Sequence, residues 1–564
     1  MDLPGGDLAG LVEAALAPCG PEVAWVELAC GPSGDHDAVV EAARRVRALG
    51  RRVALSVAAD DPGALAAAPL EHADAVGVDL RGTAPADREA AVRRARSALP
   101  GCPAWVVGVG RTSFPHDELA QARALLAALA LPAERLYWDG LRDRPPAVAL
   151  KRAPDDPGRA PDDAGDPRAA TGGLLHHDGR EKLLARLLAA GGPDAVREVV
   201  GWADLAEVEV RGGAPPALIT GGAGFVGANL AARLLAAGRR VVLYDDLSRA
   251  GVEENARWLL EGWGDAVRLV VADVRDRARL RRALEGTGEV FHLAGQVAVT
   301  TSLERPTHDF EVNALGTHVL LEELRLRQRR GEGPPSLVFT STNKVYGALP
   351  DLPLVERATR WEPADPLLRA RGIPEDQPLD LHSPYGCSKG AADQYVLEYA
   401  RTFGLPAVVF RMSCIYGPRQ LGTPDQGWVS QFALCALEGQ PLTVYGDGKQ
   451  VRDVLHVDDL VDAFLLAAAR APALAGRAFN IGGGPQRTIS LLELLDLLRG
   501  LGASRLAVGH AGWRPGDQRY YVSDASRFRA ATGWAPRVGV HEGVGRLVRW
   551  LRESPAYARR ARSA

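Results

Sequence analysis

Residues 216–238 read "PALITGGAGFVGANLAARLLAAG", and the fold turns on how this stretch is read. A short apolar run, "ALIT", gives way to Gly221, Gly224 and Gly227 at G-x-x-G-x-x-G spacing, and then to apolar residues at helical period. Glycine is needed where a backbone turns sharply or where a helix packs tightly on a strand, because a Cβ has no room there. A second strand, "RRVVLYDD" (239–246), follows directly. The order strand, glycines, helix, strand predicts one repeat of a parallel sheet, with the helix N-terminus offering unpaired amides to an anion beyond the strand ends.

Working outward, Asp245 closes the second strand about twenty residues after the glycines, where a carboxylate accepts hydrogen bonds from ribose hydroxyls. A pyrophosphate over Gly221, Gly224, Phe225, Val226 and Gly227 and a ribose at Asp245 describe a dinucleotide site. The same carboxylate repels a 2′-phosphate, which points to NAD rather than NADP; Arg249, nearby in the chain, is the feature that speaks for NADP. "LVVADVRD" (269–276) places Asp273 and Val274 at the end of a third strand, beside the adenine, with a turn or helix cap as the other reading of Asp273.

Further along, "SPYGCSKGAADQY" (383–395) carries Tyr385 and Lys389, which share one face if the segment is helical. A phenol is a poor base near neutral pH unless a neighbouring cation stabilises its anion. With Lys389 as that cation and a charged nicotinamide above it, Tyr385 is placed to take a proton from a sugar hydroxyl. Upstream, "PSLVFTSTNKVYG" (335–347) reads as a strand running into a hydroxyl-rich turn, and Thr342 is positioned to hydrogen-bond the reacting oxygen.

Glycine pattern, Thr342 and the Tyr385/Lys389 pair together resemble the extended short-chain dehydrogenase/reductase family, specifically its nucleotide-sugar epimerases and dehydratases, over about residues 216–555. Within it, "TSTNKVYG" (340–347), "YGPRQLGTPDQGW" (416–428) and "GDGKQVRDVLHVDDLVDAF" (446–464) are most similar to the CDP-paratose 2-epimerases; the UDP-sugar 4-epimerases, which share nearly all of these motifs, and other sugar-nucleotide oxidoreductases of the family are the alternatives. The resemblance implies a Rossmann-type doubly wound parallel sheet with a small C-terminal substrate-binding part. It implies NAD as cofactor, a nucleotide-diphosphate sugar as substrate, and a homo-oligomer, dimer or tetramer. It makes Thr342 the hydroxyl positioner, Tyr385 the acid/base, and Lys389 its electrostatic partner and ribose ligand. Dehydratases of the family carry Asp-Glu after the threonine; Asn343 and Lys344 stand there instead, which argues against dehydration. Arg452 and Arg514 are expected on the diphosphate, where a guanidinium forks onto oxygens, and Asn343, Gln426 and Trp428 along the sugar or nucleotide. Asn313 resembles the family's structural helix asparagine, and His292 and His456 read as hydrogen bonders at strand ends.

Bulk properties exclude other classes. A formal charge of −3 over 564 residues gives no electrostatic reason to expect nucleic acid or an acidic membrane as partner. No apolar run is long enough to span a bilayer, and "MDLPGGDLAG" lacks the basic start of a secretion signal, so the cytoplasm is expected. The six cysteines show no C-x-x-C spacing, so neither a disulfide nor a metal site is expected.

The length predicts more than one domain. A polar tract at about 144–173 and a boundary near 212 divide residues 1–210 from the epimerase-like domain at 216–564. The first part alternates apolar runs with Ala/Arg/Leu-rich helical stretches, which predicts a separate α/β domain with a parallel sheet. Its segment 103–146 resembles the last strands of a glycoside hydrolase TIM barrel, but Val107, Gly108, Val109 and Gly110 occupy the place of the catalytic glutamate. That implies a partial, hydrolytically silent barrel-like domain, with Glu27, Asp79 and Asp139 as the carboxylates left for any residual hydrolysis.

Overall fold

The computed structural model describes residues 183–205, 214–502, 507–514 and 516–554, together with the strands at 25–30, 52–58, 75–79, 104–107 and 135–136 and residues 43, 44, 47 and 90. Two compact units divide the chain, Met1–Trp202 and Ala203–Ala564.

In the first unit the strands Trp25–Cys30, Arg52–Ala58, Ala75–Asp79, Ala104–Val107 and Arg135–Leu136 form one sheet whose spatial order follows the chain. All four pairings are parallel. Each strand falls on an apolar run expected to form one. Glu27 stands opposite Ala54 within the first strand, and Asp79 ends the third, opposite Ala58 and Val107. Asp139, the polar tract and the boundary near 212 lie outside the described residues.

The second unit is built on a seven-stranded parallel sheet, numbered here β1 (Ala217–Thr220), β2 (Val241–Asp245), β3 (Val267–Val271), β4 (Glu289–His292), β5 (Ser336–Thr342), β6 (Ala407–Met412) and β7 (Arg477–Ile481). Its spatial order is β7-β6-β5-β4-β1-β2-β3. The chain therefore runs outward from β1 to β3, then returns to the other side of β1 with β4. At that reversal the flanking connections diverge and leave a crevice above the strand ends. This is the expected doubly wound Rossmann-type sheet.

Local sequence explains the pieces. "ALIT" is buried throughout because neighbours flank it on both sides, which suits a continuous apolar run. Helix α1 (Phe225–Ala236) buries Gly227, Ala228, Leu230, Ala231, Leu234 and Leu235 on one face. Each buried leucine stabilises the packing by roughly 2–3 kcal/mol. Helix α2 (Ser383–Phe403) starts with proline in its first turn and ends on Gly404, whose left-handed backbone stops it.

A smaller C-terminal lobe is built from segments beyond Cys414, between which the chain returns to the main sheet for β7. Helix α3 (Trp428–Glu438) packs with the helices Leu491–Gly500 and Val540–Glu553 in a core that includes Phe432, Leu494 and Leu547. The buried strand Val451–His456 runs through this lobe and carries Arg452.

Candidate active site

At the end of β1, Gly221 has φ +67°, and a Cβ there would lie 2.8 Å from the Ala294 nitrogen. A Cβ on Gly227 would run into the Gly221 carbonyl oxygen, and one on Gly222 would sit 2.7 Å from the Ile219 oxygen. Gly222 was not singled out from the sequence, because only the G-x-x-G-x-x-G spacing was read. Gly224 is the N-cap of α1, and no side chain caps that end. A turn without side chains beside a helix start with uncapped amides fits a dinucleotide pyrophosphate.

The Asp245 carboxylate ends β2 and accepts from the Ala223 nitrogen at 3.0 Å and the Leu247 nitrogen at 2.9 Å, which ties it to the glycine turn. Burial, and then the charge of Asp245, push the neighbouring Asp246 carboxyl up to about 7. Asp273 lies two residues beyond the end of β3 rather than at it. Its carboxylate engages Arg275 at 2.7 and 2.9 Å and accepts from the Arg275 backbone nitrogen at 2.8 Å. Asp273 thus closes a turn, while the helix Arg277–Leu284 that follows is capped by Asp276. Val274 is buried against Gly316.

A cavity of about 660 Å³ opens beyond β1, β4 and β5. Phe225 and Val226 line it on the cofactor side, Thr342, Asn343, Tyr385 and Lys389 on the sheet side, and Gln426, Trp428, Arg452 and Arg514 on the side of the small lobe. The structure thus gathers the expected catalytic and substrate residues around one space. Gly221, Gly224, Gly227, Asp245, Asp273 and Val274 are not among its lining residues.

Thr342 is the last residue of β5, and its Oγ1 accepts from the Lys344 nitrogen at 3.2 Å. Tyr385 and Lys389 lie on one buried face of α2, as their spacing requires. Burial pushes the Tyr385 phenol up to about 12; the Thr342 hydrogen bond works against this and Asp309 adds to it. Burial likewise pulls Lys389 down to about 8, partly offset by Asp309 and Asp393. The Lys389 ammonium lies 4.5 Å from the centre of the Phe339 ring. The sequence pairs Lys389 with a charged nicotinamide as the cations for this phenol; in the structure the effects acting on Tyr385 are burial, Thr342 and Asp309. Desolvation is the largest effect on both groups, so the phenol is held neutral until more positive charge arrives.

Behind this pair lies a network that sequence reading missed. Asp309 is fully buried, and its carboxylate receives the Ser388 hydroxyl, Gln296 Nε2 at 3.0 Å and Asn313 Nδ2 at 3.2 Å. Asn313 also reaches the Gln296 carbonyl and Ser388, while its Oδ1 is buried without a partner. The Nδ2 partners of Asn313 are all protein groups, in keeping with the packing role the sequence suggests. Asp309, one helical turn before it, was the available signal. His292 is buried between Thr220 and Thr317, and burial pulls it down to about 3, so it is neutral and structural. His456 caps its own helix through Asp458.

Arg452 is buried and paired with Asp517 at 2.9 Å. Arg514 lies 3.8 Å from the centre of the Tyr445 ring and donates to the Pro424 carbonyl. Trp428 packs edge-on against Phe432 and donates to the Cys414 sulfur. Among the described residues no cluster of His, Cys, Asp and Glu has the arrangement of a metal site.

A doubly wound sheet with a glycine turn at its reversal, and a cavity lined by Thr342, Tyr385 and Lys389, has the parts of an enzyme that uses a nucleotide cofactor on a hydroxyl or carbonyl group. Residues 217–482 match the model of the NAD dependent epimerase/dehydratase family. Over 340 residues the chain is 43% identical to CDP-paratose 2-epimerase of Salmonella typhi, covering 59% of this chain and 98% of that one. It is 35% identical to UDP-glucose 4-epimerase of Mycolicibacterium smegmatis, again over 59% of this chain and 98% of the other. A crystal structure of dTDP-glucose 4,6-dehydratase from Streptomyces venezuelae with NAD superposes with a TM-score of 0.51 at 30% identity, covering 61% of this chain and 98% of that one. The chain belongs to the NAD dependent epimerase/dehydratase family, and residues 1–202 lie outside the matched segment.

Proposed function

We propose that this protein inverts a ring carbon of a nucleotide-diphosphate sugar through a transient keto-sugar, with C2 as the reacting carbon and a CDP-sugar as substrate. The observation that carries the reading is one cavity with Thr342, Tyr385 and Lys389 on one wall and Arg452 and Arg514 on the other. Similarity to the Salmonella typhi CDP-paratose 2-epimerase supports C2 and the cytidine nucleotide.

In this reading Gly221, Gly224, Phe225, Val226 and Gly227 hold the pyrophosphate, and Asp245, Asp273 and Val274 the adenosine end. NAD, when bound, accepts and returns hydride and brings positive charge to the pocket. That charge offsets the burial that keeps Tyr385 neutral. Tyr385 takes the proton of the sugar hydroxyl and returns it after the keto-sugar has presented its other face. Thr342 holds the reacting oxygen, and Lys389 stabilises the phenolate and binds ribose. Arg452 and Arg514 grip the diphosphate, so the sugar turns over without leaving, while Asn343, Gln426 and Trp428 border the ring. Neither Asn343 nor Lys344 is a carboxylic acid suited to dehydration.

An NMR screen of CDP-, UDP-, dTDP- and GDP-sugars tests this directly: inversion at C2 of a CDP-sugar is expected, with no net oxidation. In D2O the inverted carbon keeps its own hydrogen. Substantial deuterium there would mean enolisation and sink the scheme. Inversion at C4 of a UDP-sugar would favour the second reading, which the Mycolicibacterium smegmatis relative supports.

A homo-oligomer belongs to the same proposal. Phe310, Leu315, Tyr395 and Phe403 are exposed on α2 and the helical segments Pro306–Phe310 and Glu311–Leu315, apolar side chains suited to a second copy; light scattering at micromolar concentration tests it. No described helix is long and apolar enough to cross a membrane, and a cytoplasmic location is part of the proposal.

A further inference from the structure

Lys344 stands out in the cavity. It sits on the turn Asn343–Tyr346, directly after the strand that ends in Thr342. Its backbone nitrogen donates to Thr342 Oγ1 at 3.2 Å, and a Cβ on Gly386, next to Tyr385, would lie 3.5 Å from its carbonyl oxygen. The lysine is thus fastened within one turn of the acid/base. Its ammonium donates to the Gly516 carbonyl at 3.1 Å, and no carboxylate of the described residues lies at ion-pair distance from it. The groups acting on it are Arg452, a second cation, and Asp517 and Cys414. Asp517 is bound to Arg452, which also donates to the Val451 carbonyl. Asn343 donates to Gln518, and Gln518 to the Gly347 carbonyl, so the turn and the 516–518 segment brace each other.

Asp517 is thus paired with Arg452 and is also the carboxylate that acts on the half-buried Lys344, so two cations stand against one carboxylate in a corner beside the reacting centre. Such a corner is short of negative charge. In a nucleotide-diphosphate sugar the diphosphate is attached at C1. When C2 reacts, the phosphate comes within one ring bond of the acid/base; when C4 reacts, it lies across the ring. A cation one turn from Thr342 is placed for the first case.

We propose that Lys344 and Arg452 form a diphosphate seat next to the reacting carbon, with Asp517 as a counter-ion that the incoming phosphate displaces, and that this seat brings C2 rather than C4 to Tyr385. The inference rests on the functional reading above and adds a specificity-determining residue to it. Burial and the neighbouring Arg452 pull the free Lys344 ammonium down to about 8. An arriving anion restores its proton, so binding above that pH takes up a proton.

Calorimetry on the full-length, NAD-loaded protein, with CDP and UDP as probes, tests the seat. Wild type at about pH 8.5 is expected to take up a proton on binding CDP, read as a heat that depends on the buffer's ionisation enthalpy. Lys344→Met should weaken CDP binding about ten- to a hundredfold and abolish the uptake. Lys344→Arg should restore affinity without uptake. Asp517→Asn should tighten CDP binding severalfold, a sign that a damaged fold cannot mimic. If wild type binds neither CDP nor UDP, the functional reading falls and the seat with it. If wild type binds CDP and Lys344→Met binds it equally well, the seat is overturned while the functional reading stands, whether or not turnover is lost.

Discussion

Both parallel sheets in this chain are made from strands of the same apolar character, yet they are wound differently. In the first, spatial order follows chain order from Trp25–Cys30 to Arg135–Leu136. In the second, the order reverses between β4 and β1. A sheet wound in one direction has no reversal, and its neighbouring connections run side by side. A doubly wound sheet opens a crevice where its connections part, and that is where the glycine turn and Thr342 stand. What separates the two is therefore connectivity rather than composition, and the proposed catalytic set belongs to the second.

The sharpest way to break this contrast is Tyr385→Phe. Turnover is expected to fall roughly a thousandfold, the usual range for a lost acid/base, while released NAD per chain stays unchanged by absorbance. Retained turnover would remove the chemistry from the crevice. Next in size is Gly227→Ala, whose methyl meets the Gly221 carbonyl. Copurified NAD should be lost and the melting temperature should drop by several degrees, the effect of a few kcal/mol.

A third test reads pH. The folded state holds Lys389 at about 8, below the ordinary lysine value near 10.4 in the unfolded chain. Between these values the unfolded chain binds more protons, so stability rises with pH there, by on the order of 3 kcal/mol from this group. Below about pH 8 the full cost of burying the charge is present. Urea unfolding of NAD-free protein should show that rise in wild type and a flatter profile in Lys389→Met. The smallest effect belongs to the first sheet. Residues 203–564 produced alone, and Glu27→Gln or Asp79→Asn in the full chain, should keep turnover within about twofold, and aryl glycosides should not be hydrolysed. Loss of turnover on removing the first unit would instead make it part of the enzyme.

Much of the site was legible because it is written locally. Three glycines at fixed spacing, an aspartate at a strand end, and a tyrosine one turn from a lysine need only the period of the element that carries them. Glycine conformations at Gly221 and the shared face of Tyr385 and Lys389 followed for that reason. Asp309, Gly222 and the pairing of Arg452 with Asp517 were not legible. Each draws its meaning from a neighbour far along the chain or from a close approach that no periodicity encodes.

By itself, the sequence determined where the strands of the main sheet fall, that a glycine turn follows β1, and that Tyr385 and Lys389 share a helix face, since these depend on side-chain period and backbone freedom over a few residues. Only the tertiary structure decided that Tyr385 and Lys389 are buried deeply enough for desolvation to be the largest effect on each. It alone also put Lys344 and Arg452, more than a hundred residues apart, around one carboxylate. Burial and charge proximity are sums over the whole fold, and no short stretch of chain contains them.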